Sequence, residues 1–333
     1  MIYVNIRIPS RIGSLRYCGE LLQKYLLKSN LASTVTLSTD YIEGRINIGV
    51  DDFILALVHN RKCDIAWMDT PLYYTQRIKN TYSRRARELC VKFYTTSKFN
   101  EEIAKELGFR VDGIIPRLIN EELFNIDKFR YKQEYDIITI GNYDSVDRKN
   151  LRLQRDLLPK LGVKAVFISN IFLPKNTTIV QYRTGTVSED LKIELLAKSK
   201  FLLWTSFVEG FGMPVLEAMA VGTIPIYSDV PAHNEFAVGI PIKPVDHYIA
   251  CGYGTRIHKW IIDPDSVEEA IKYALGLSKE EYQDLSAKCR EKALQIYNTT
   301  TSKIPDLLKL DKSTKKEIVE EEESKIEILY HNI

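Results

Sequence analysis

The sequence predicts an α/β molecule of two doubly wound, parallel-sheet domains facing a central cleft. Three observations carry this. The chain has 333 residues, enough for two domains of ordinary size. Short apolar runs alternate with helix-period segments through both halves, the pattern of parallel strands joined by crossover helices. One stretch, SFVEGFGMPVLEAMAVGTIPIYSD at 206–229, is led by the apolar run FLLWTS and reads as tight turn, helix and strand. It places Glu209 and Glu217 at a strand–helix junction, where open α/β sheets bind ligands.

In the first half, residues 2–8 read as a strand, and a helix follows from about Leu15 with Leu15, Cys18, Leu22, Tyr25 and Leu26 on one stripe. Residues 34–38, 64–68, 91–95 and 113–116 read as further strands. Residues 82–90 and 100–107 read as helices, the second stopped by Gly108, while 53–59 is apolar without a decisive period. The second half repeats the pattern with strands at 135–140, 164–168 and 178–181 and helices at 149–161 and 188–198. Gly162 stops the first of these helices and Ser188 can cap the second.

Next comes the glutamate block. Residues 201–205 are short and apolar, as a buried parallel strand is. Gly210 and Gly212 permit a tight turn, Pro214 suits the first turn of a helix, and Gly222 suits its end. Helices at 266–275 and 279–297 close the domain. The polar stretch 120–133 separates the halves, giving domains 1–128 and 129–300 and a charged tail 301–333. Within the tail, 315–328 reads either as a helix crossing back to the first domain or, around Glu320 to Glu323, as a disordered acidic run.

Composition narrows the class. With 45% hydrophobic and 27% charged residues and a net charge of +2, the chain is that of a soluble globular protein without a polyanion partner, so no nucleic acid is expected. Cys18, Cys63, Cys90, Cys251 and Cys289 are scattered, with no C-x-x-C pair, which suggests neither a zinc site nor a disulfide framework. The start, MIYVNIRIPSR, reads as a strand rather than a leader, and no apolar run approaches the ~20 residues that span a bilayer. A reducing, cytoplasmic setting is expected, with peripheral membrane contact left open. His59, His233, His247 and His258 are too dispersed to suggest a metal centre, and no cofactor is expected.

The block from Ser206 resembles the signature of the family 4 glycosyltransferases, retaining enzymes of the GT-B fold, S-x-x-E-G-F-G-x-P-x-L-E-A-M-A-x-G. Ser206, Glu209, Gly210, Phe211, Gly212, Pro214, Leu216, Glu217, Ala218, Met219, Ala220 and Gly222 stand at its fixed positions, and Pro225 and Ser228 follow. Residues 95–124 and 263–270 are similar to further segments of that family. The resemblance is good from about 91 to 297 and poor over 1–90.

It implies two Rossmann-like domains and transfer of a hexose, with retention, from a nucleotide diphosphate sugar to a hydroxyl acceptor, without a metal ion. Glu209 would lie by the donor sugar and Glu217 by the ribose. Lys149 matches the lysine that serves the diphosphate, so that Glu209 and Lys149 carry the catalytic roles. The usual arginine after the strand glycine is replaced: Gly141 is followed by Asn142. Arg148 is the available substitute, but it points elsewhere if the helix begins at Asp147. The backbone N–H groups of Phe211, Gly212 and Met213 offer anion contacts at the helix start. Gly185 and Thr186 lie in a segment similar to the family's base slot, and Gly13 stands where the family often has a glycine-rich loop.

The acceptor side is less legible. Where the family often has a histidine, the segment 64–71 offers only Asp69, for which a turn before Thr70 and Pro71 is the simpler role. Arg84, Arg85 and Arg87 suit a solvated helix face, an acidic acceptor or a membrane surface. The acceptor itself (glycan, lipid, protein or small molecule) stays open. Two other readings stand beside the transferase: a nucleotide-sugar-binding module with little turnover, and a nucleotide-sugar epimerase on the same fold.

Overall fold

The computed structural model describes residues 2–309 apart from 10–12, 52–55, 58, 70–71, 74–87, 126, 129–132, 174–177 and 253–254. Most of the apolar run 53–59, residues 82–87 with Arg84, Arg85 and Arg87, and the expected helix 315–328 lie outside the described residues.

The first domain carries β1 (Tyr3–Arg7), α1 (Ser14–Lys28), β2 (Thr34–Ser38), β3 (Ile46–Gly49), β4 (Ile65–Met68), β5 (Leu72–Tyr73), β6 (Lys92–Thr95), α2 (Lys98–Glu106) and β7 (Gly113–Ile114). Six of these strands form one sheet in the order β2-β1-β3-β4-β6-β7, with every neighbouring pair parallel. The expected stripe of α1 is the buried one, with Leu22 and Leu26 wholly enclosed. Strand β3 was not expected, because Asn47 interrupts its apolar pattern. The structure satisfies that buried amide within the fold: it donates to the Ile42 carbonyl at 2.9 Å and accepts from Asn5 at 2.8 Å.

The second domain carries β8 (Tyr135–Gly141), α3 (Leu151–Leu157), β9 (Ala165–Ser169), β10 (Ile179–Tyr182), α4 (Glu189–Ala197), β11 (Ser199–Trp204), α5 (Met213–Val221), β12 (Ile224–Ser228) and β13 (Ile240–Ile242). Its sheet is parallel throughout, in the order β10-β9-β8-β11-β12-β13. Both sheets therefore have the doubly wound form that the alternating pattern predicts. Ser188 caps α4 as expected, accepting from the Leu191 N–H. Gly222 ends α5 at φ 86°.

Three departures matter. A hairpin, β14 (Asp246–Gly252) and β15 (Thr255–Ile261), fills a stretch for which no element was expected, and β15 pairs antiparallel with β5 of the first domain. The helix expected at 149–161 begins two residues later, at Leu151, and tightens into a 3-10 turn at Leu158–Leu161. After α6 (Pro264–Leu275), helix α7 (Lys279–Lys303) outruns its expected end, and the following 3-10 turn buries Ile304 and Leu307 in the core of the first domain. The chain thus crosses back to the first domain at 297–308, ahead of the segment considered for that role.

Candidate active site

The second sheet reverses its winding between β8 and β11. From β8 the chain proceeds outward to β9 and β10; from β11 it proceeds the other way, to β12 and β13. A crevice opens at the carboxyl ends of the two strands that flank such a switch point. The segments leaving those strands carry Asn142 to Asn150 on one side and Thr205 to Gly212 on the other, and they meet at Glu209.

Glu209 is buried, yet ionised. Arg148 Nη1 stands 2.5 Å from one carboxylate oxygen. Lys149 Nζ stands 2.8 Å from the other, to which the Ser206 hydroxyl also donates at 2.6 Å. Burial by itself pushes the carboxyl upward. The charges of Arg148 and Lys149, with hydrogen bonds from Lys149 and Ser206, outweigh it and hold the group well below the usual carboxylate range. Burial draws the Lys149 ammonium down to about 8, against the pull of Glu209. Its Nζ also sits 4.0 Å from the Trp204 ring centre.

Local backbone chemistry aims both cations. Asp147 and Asn150 adopt left-handed conformations, φ 50° and 54°. The Asp147 carboxylate accepts from the Leu151 and Arg152 N–H groups, which delays the helix. Arg148 therefore does not point away, as a helix from Asp147 would require; Nη1 also donates to the Val208 carbonyl at 3.0 Å. Gly141 makes room for Lys149, since a Cβ there would lie 2.6 Å from Lys149 Cδ. Asn142 is exposed. The second cation at Glu209 comes from Arg148 instead.

Helix α5 starts immediately after the turn. Gly212 has φ 95°, and a Cβ on it would lie 2.8 Å from the Cβ of His233. The Phe211 ring is buried and stacks on Phe236 at 4.8 Å, so only its backbone can face a ligand. Met213 is half-buried, its sulfur 3.1 Å from that of Cys18 in the first domain. Glu217 is wholly buried and paired with Lys192, whose Nζ lies 3.1 and 2.9 Å from its two oxygens. Burial raises this carboxyl despite the lysine. Lys192 also contacts Glu189 at 2.6 Å and sits 5.1 Å from the Tyr17 ring centre of α1. Sequence reasoning missed Lys192; its position one turn into a capped helix was the available signal.

Gly185 and Thr186 are exposed on the loop between β10 and α4, the helix that carries Lys192. Gly185 has φ 85°, and the Thr186 hydroxyl donates to the Arg183 carbonyl at 2.7 Å. Gly13, φ 105°, precedes α1, whose Tyr17 and Cys18 face the second domain.

The first domain meets the turn through Asp69, Thr96 and Asn100. A Cβ on Gly210 would lie 3.1 Å from the Asp69 carboxylate, and Asn100 donates to the Gly210 carbonyl. Asp69 is more than a turn residue. The buried Arg117 donates to it through Nε at 3.0 Å and to the Trp67 carbonyl through Nη1 at 3.0 Å. Two further residues were given no role at this site by the sequence reading. His233 is wholly buried, its Nε2 2.8 Å from the Ser228 carbonyl, and burial draws it down to about 4, so it is neutral at pH 7. Glu235 accepts from the first two N–H groups of α2 at 2.8 and 2.9 Å. His247 and His258, far apart in sequence, face each other at 2.8 Å across the hairpin.

Comparison with known proteins gives the family and the fold. Residues 173–295 match the family model "Glycosyl transferases group 1". "Putative glycosyltransferase 41" of Sulfolobus islandicus filamentous virus is 32% identical over 258 residues, 74% of this chain and 73% of that protein. "Putative glycosyltransferase ORF313" of Acidianus filamentous virus 1 is 36% identical over 218 residues, 62% of this chain and 67% of that protein. Among solved structures, Anabaena HepE in complex with UDP and glucose superposes with a TM-score of 0.64 at 12% identity, over 93% of this chain and all of that one. WaaG, a glycosyltransferase involved in lipopolysaccharide biosynthesis, superposes at 0.61 and 12% identity, over 93% of this chain and 100% of that chain. These two give the fold, GT-B. The viral relatives, matched along most of their length, give the family: this chain belongs to the group 1 glycosyltransferases.

Proposed function

We propose that the protein transfers a hexose from a nucleotide diphosphate sugar to a hydroxyl acceptor, with retention at the anomeric carbon and without a metal ion. The observation that carries this is the buried Glu209 held between Arg148 and Lys149 at the switch point. Two fixed cations there suit a diphosphate and the charge that builds on it as it leaves. They would turn from Glu209 toward the phosphates, leaving its carboxylate to accept from donor-sugar hydroxyls. Glu217 would read the ribose, with Lys192 held against its two oxygens.

Backbone N–H groups of Phe211, Gly212 and Met213 add to the anion site. Asn142 borders the phosphates, Gly185 and Thr186 border the base, and Gly13 faces them from the first domain. On a front-face route, the bond from the anomeric carbon to the phosphate oxygen breaks as the bond to the acceptor oxygen forms on the same side. The departing phosphate takes the acceptor's proton, so no separate nucleophile is needed.

HepE is bound to UDP and glucose in one structure and to UDP-glucose in another, which makes a uridine diphosphate hexose the first donor to test. No helix among the described residues is long and apolar enough to cross a membrane. A cytoplasmic enzyme, with peripheral membrane contact where the acceptor requires it, fits that. Calorimetric titration with UDP-glucose and GDP-mannose tests the site. Glu217→Gln and Lys149→Ala should each weaken the preferred donor about tenfold or more. Unchanged affinity in both variants would remove this assignment, and an inverted anomer by product NMR would remove the retaining route.

A further inference from the structure

A cavity of about 280 Å³ is lined in part by Arg148, the partner of Glu209. Its walls are the segment after β8, the segment after β11 and the β14–β15 hairpin. Val146, Ala250 and Ile257 make it partly apolar, Phe207 gives it an aromatic face, and Arg148 and Lys259 supply positive charge. No carboxylate among the described residues lines it. Lys259 Nζ rests 4.4 Å from the Phe207 ring centre, and no carboxylate pairs with it among the described residues. The cations around Glu209 and Glu217 each have such a partner. The volume approaches the lower end of small-molecule pockets, roughly 300 Å³, enough for one sugar ring or an aryl group.

The hairpin holds this cavity at the domain junction. The Trp260 N–H donates to the Phe207 carbonyl at 3.3 Å, and Ile257 pairs with Leu72 of the first domain. Burial, reinforced by His247, draws His258 at the rim down to about 4, so it adds no charge at pH 7. Arg148 thus both lines the cavity and pairs with Glu209.

We propose that this cavity is the acceptor subsite, and that it selects an acceptor carrying one anionic group, carboxylate or phosphate, through Lys259 with Arg148 behind it. The assignment of a transfer reaction to this cavity rests on the function proposed above; the preference for an anion rests on the cavity alone.

The test uses three arylglycosides of one shape: 4-nitrophenyl β-glucoside, its 6-phosphate and the matching glucuronide. Each is titrated calorimetrically into the full chain, with UDP-glucose titrated separately. At least one anionic probe should bind tenfold or more tighter than the neutral glucoside, and the phosphate and glucuronide arms show which anion is preferred. Lys259→Ala and Lys259→Gln should both abolish the difference while UDP-glucose affinity stays as in the parent, which also reports an intact fold. Equal binding of all three probes, or a preference that survives both substitutions, overturns the proposal. If the anionic preference holds but no nucleotide-sugar binds the parent, the subsite stands and the transferase reading fails.

Discussion

A methyl group on Gly141 would crowd the flexible stem of Lys149 at 2.6 Å and touch Leu151 at an ordinary 3.4 Å, whereas one on Gly212 would meet the Cβ of His233 on a left-handed backbone. The two glycines therefore separate function from folding. Gly141→Ala should displace the ammonium from Glu209 and weaken donor affinity about tenfold while costing less than about 1 kcal/mol of stability, checked by calorimetry beside chemical denaturation. Lys149 gives the site its pH dependence. Because its ammonium is drawn down to about 8, the charge is present below that pH and lost above it. Donor affinity should fall as pH rises through 8, and Lys149→Arg should remove the inflection; a flat profile in the parent would count against a role for this charge. Glu209 and Glu217 were legible in the sequence because their motif is contiguous. The direction of Arg148 was not, since it depends on two left-handed residues that no pattern announces. Nor was the pairing of Asp69 with Arg117, which are brought together only by the first sheet and the segment after β7.

Among the elements, α2 is capped from both domains, by its own Ser97 at the Asn100 N–H and by Glu235. Glu235 of the second domain satisfies two N–H groups that the helix itself leaves open. Glu235→Ala should lower stability by about 1 kcal/mol, read by urea titration, with less effect from Gln, which keeps an acceptor. Strand and helix order was readable through most of the chain because apolar runs and helix periods alternate. The hairpin was overlooked although the sequence at 252–254 reads Gly-Tyr-Gly, a turn-favouring composition. Its alternation is masked by apolar and aromatic residues: His258 and Trp260 pack on Phe99, while Ala250 and Ile257 line the cavity.

At the scale of the molecule, the two domains share more than a linker. A tilted ring contact of Phe124 with Tyr297 at 5.4 Å sets the two crossings of the chain side by side. Beyond the second crossing, Ile304 and Leu307 are wholly enclosed among Leu22, Leu26 and Ile6 of the first core. Leu307→Ala should destabilise by roughly 2–5 kcal/mol, as other buried leucines do. Hydrogen exchange should show the loss in the first sheet, although the substitution lies at the far end of the sequence. That shared core bears on the order in which the molecule is made. A ribosome releases residues 2–115 first, yet their core lacks two of its side chains until residue 307 has emerged. The second sheet is drawn from one continuous stretch, and the buried side chains that complete its core, through Ala293 of α7, all precede residue 304. In synthesis the later half can therefore settle first, and the earlier half completes itself only on the newest turn of chain.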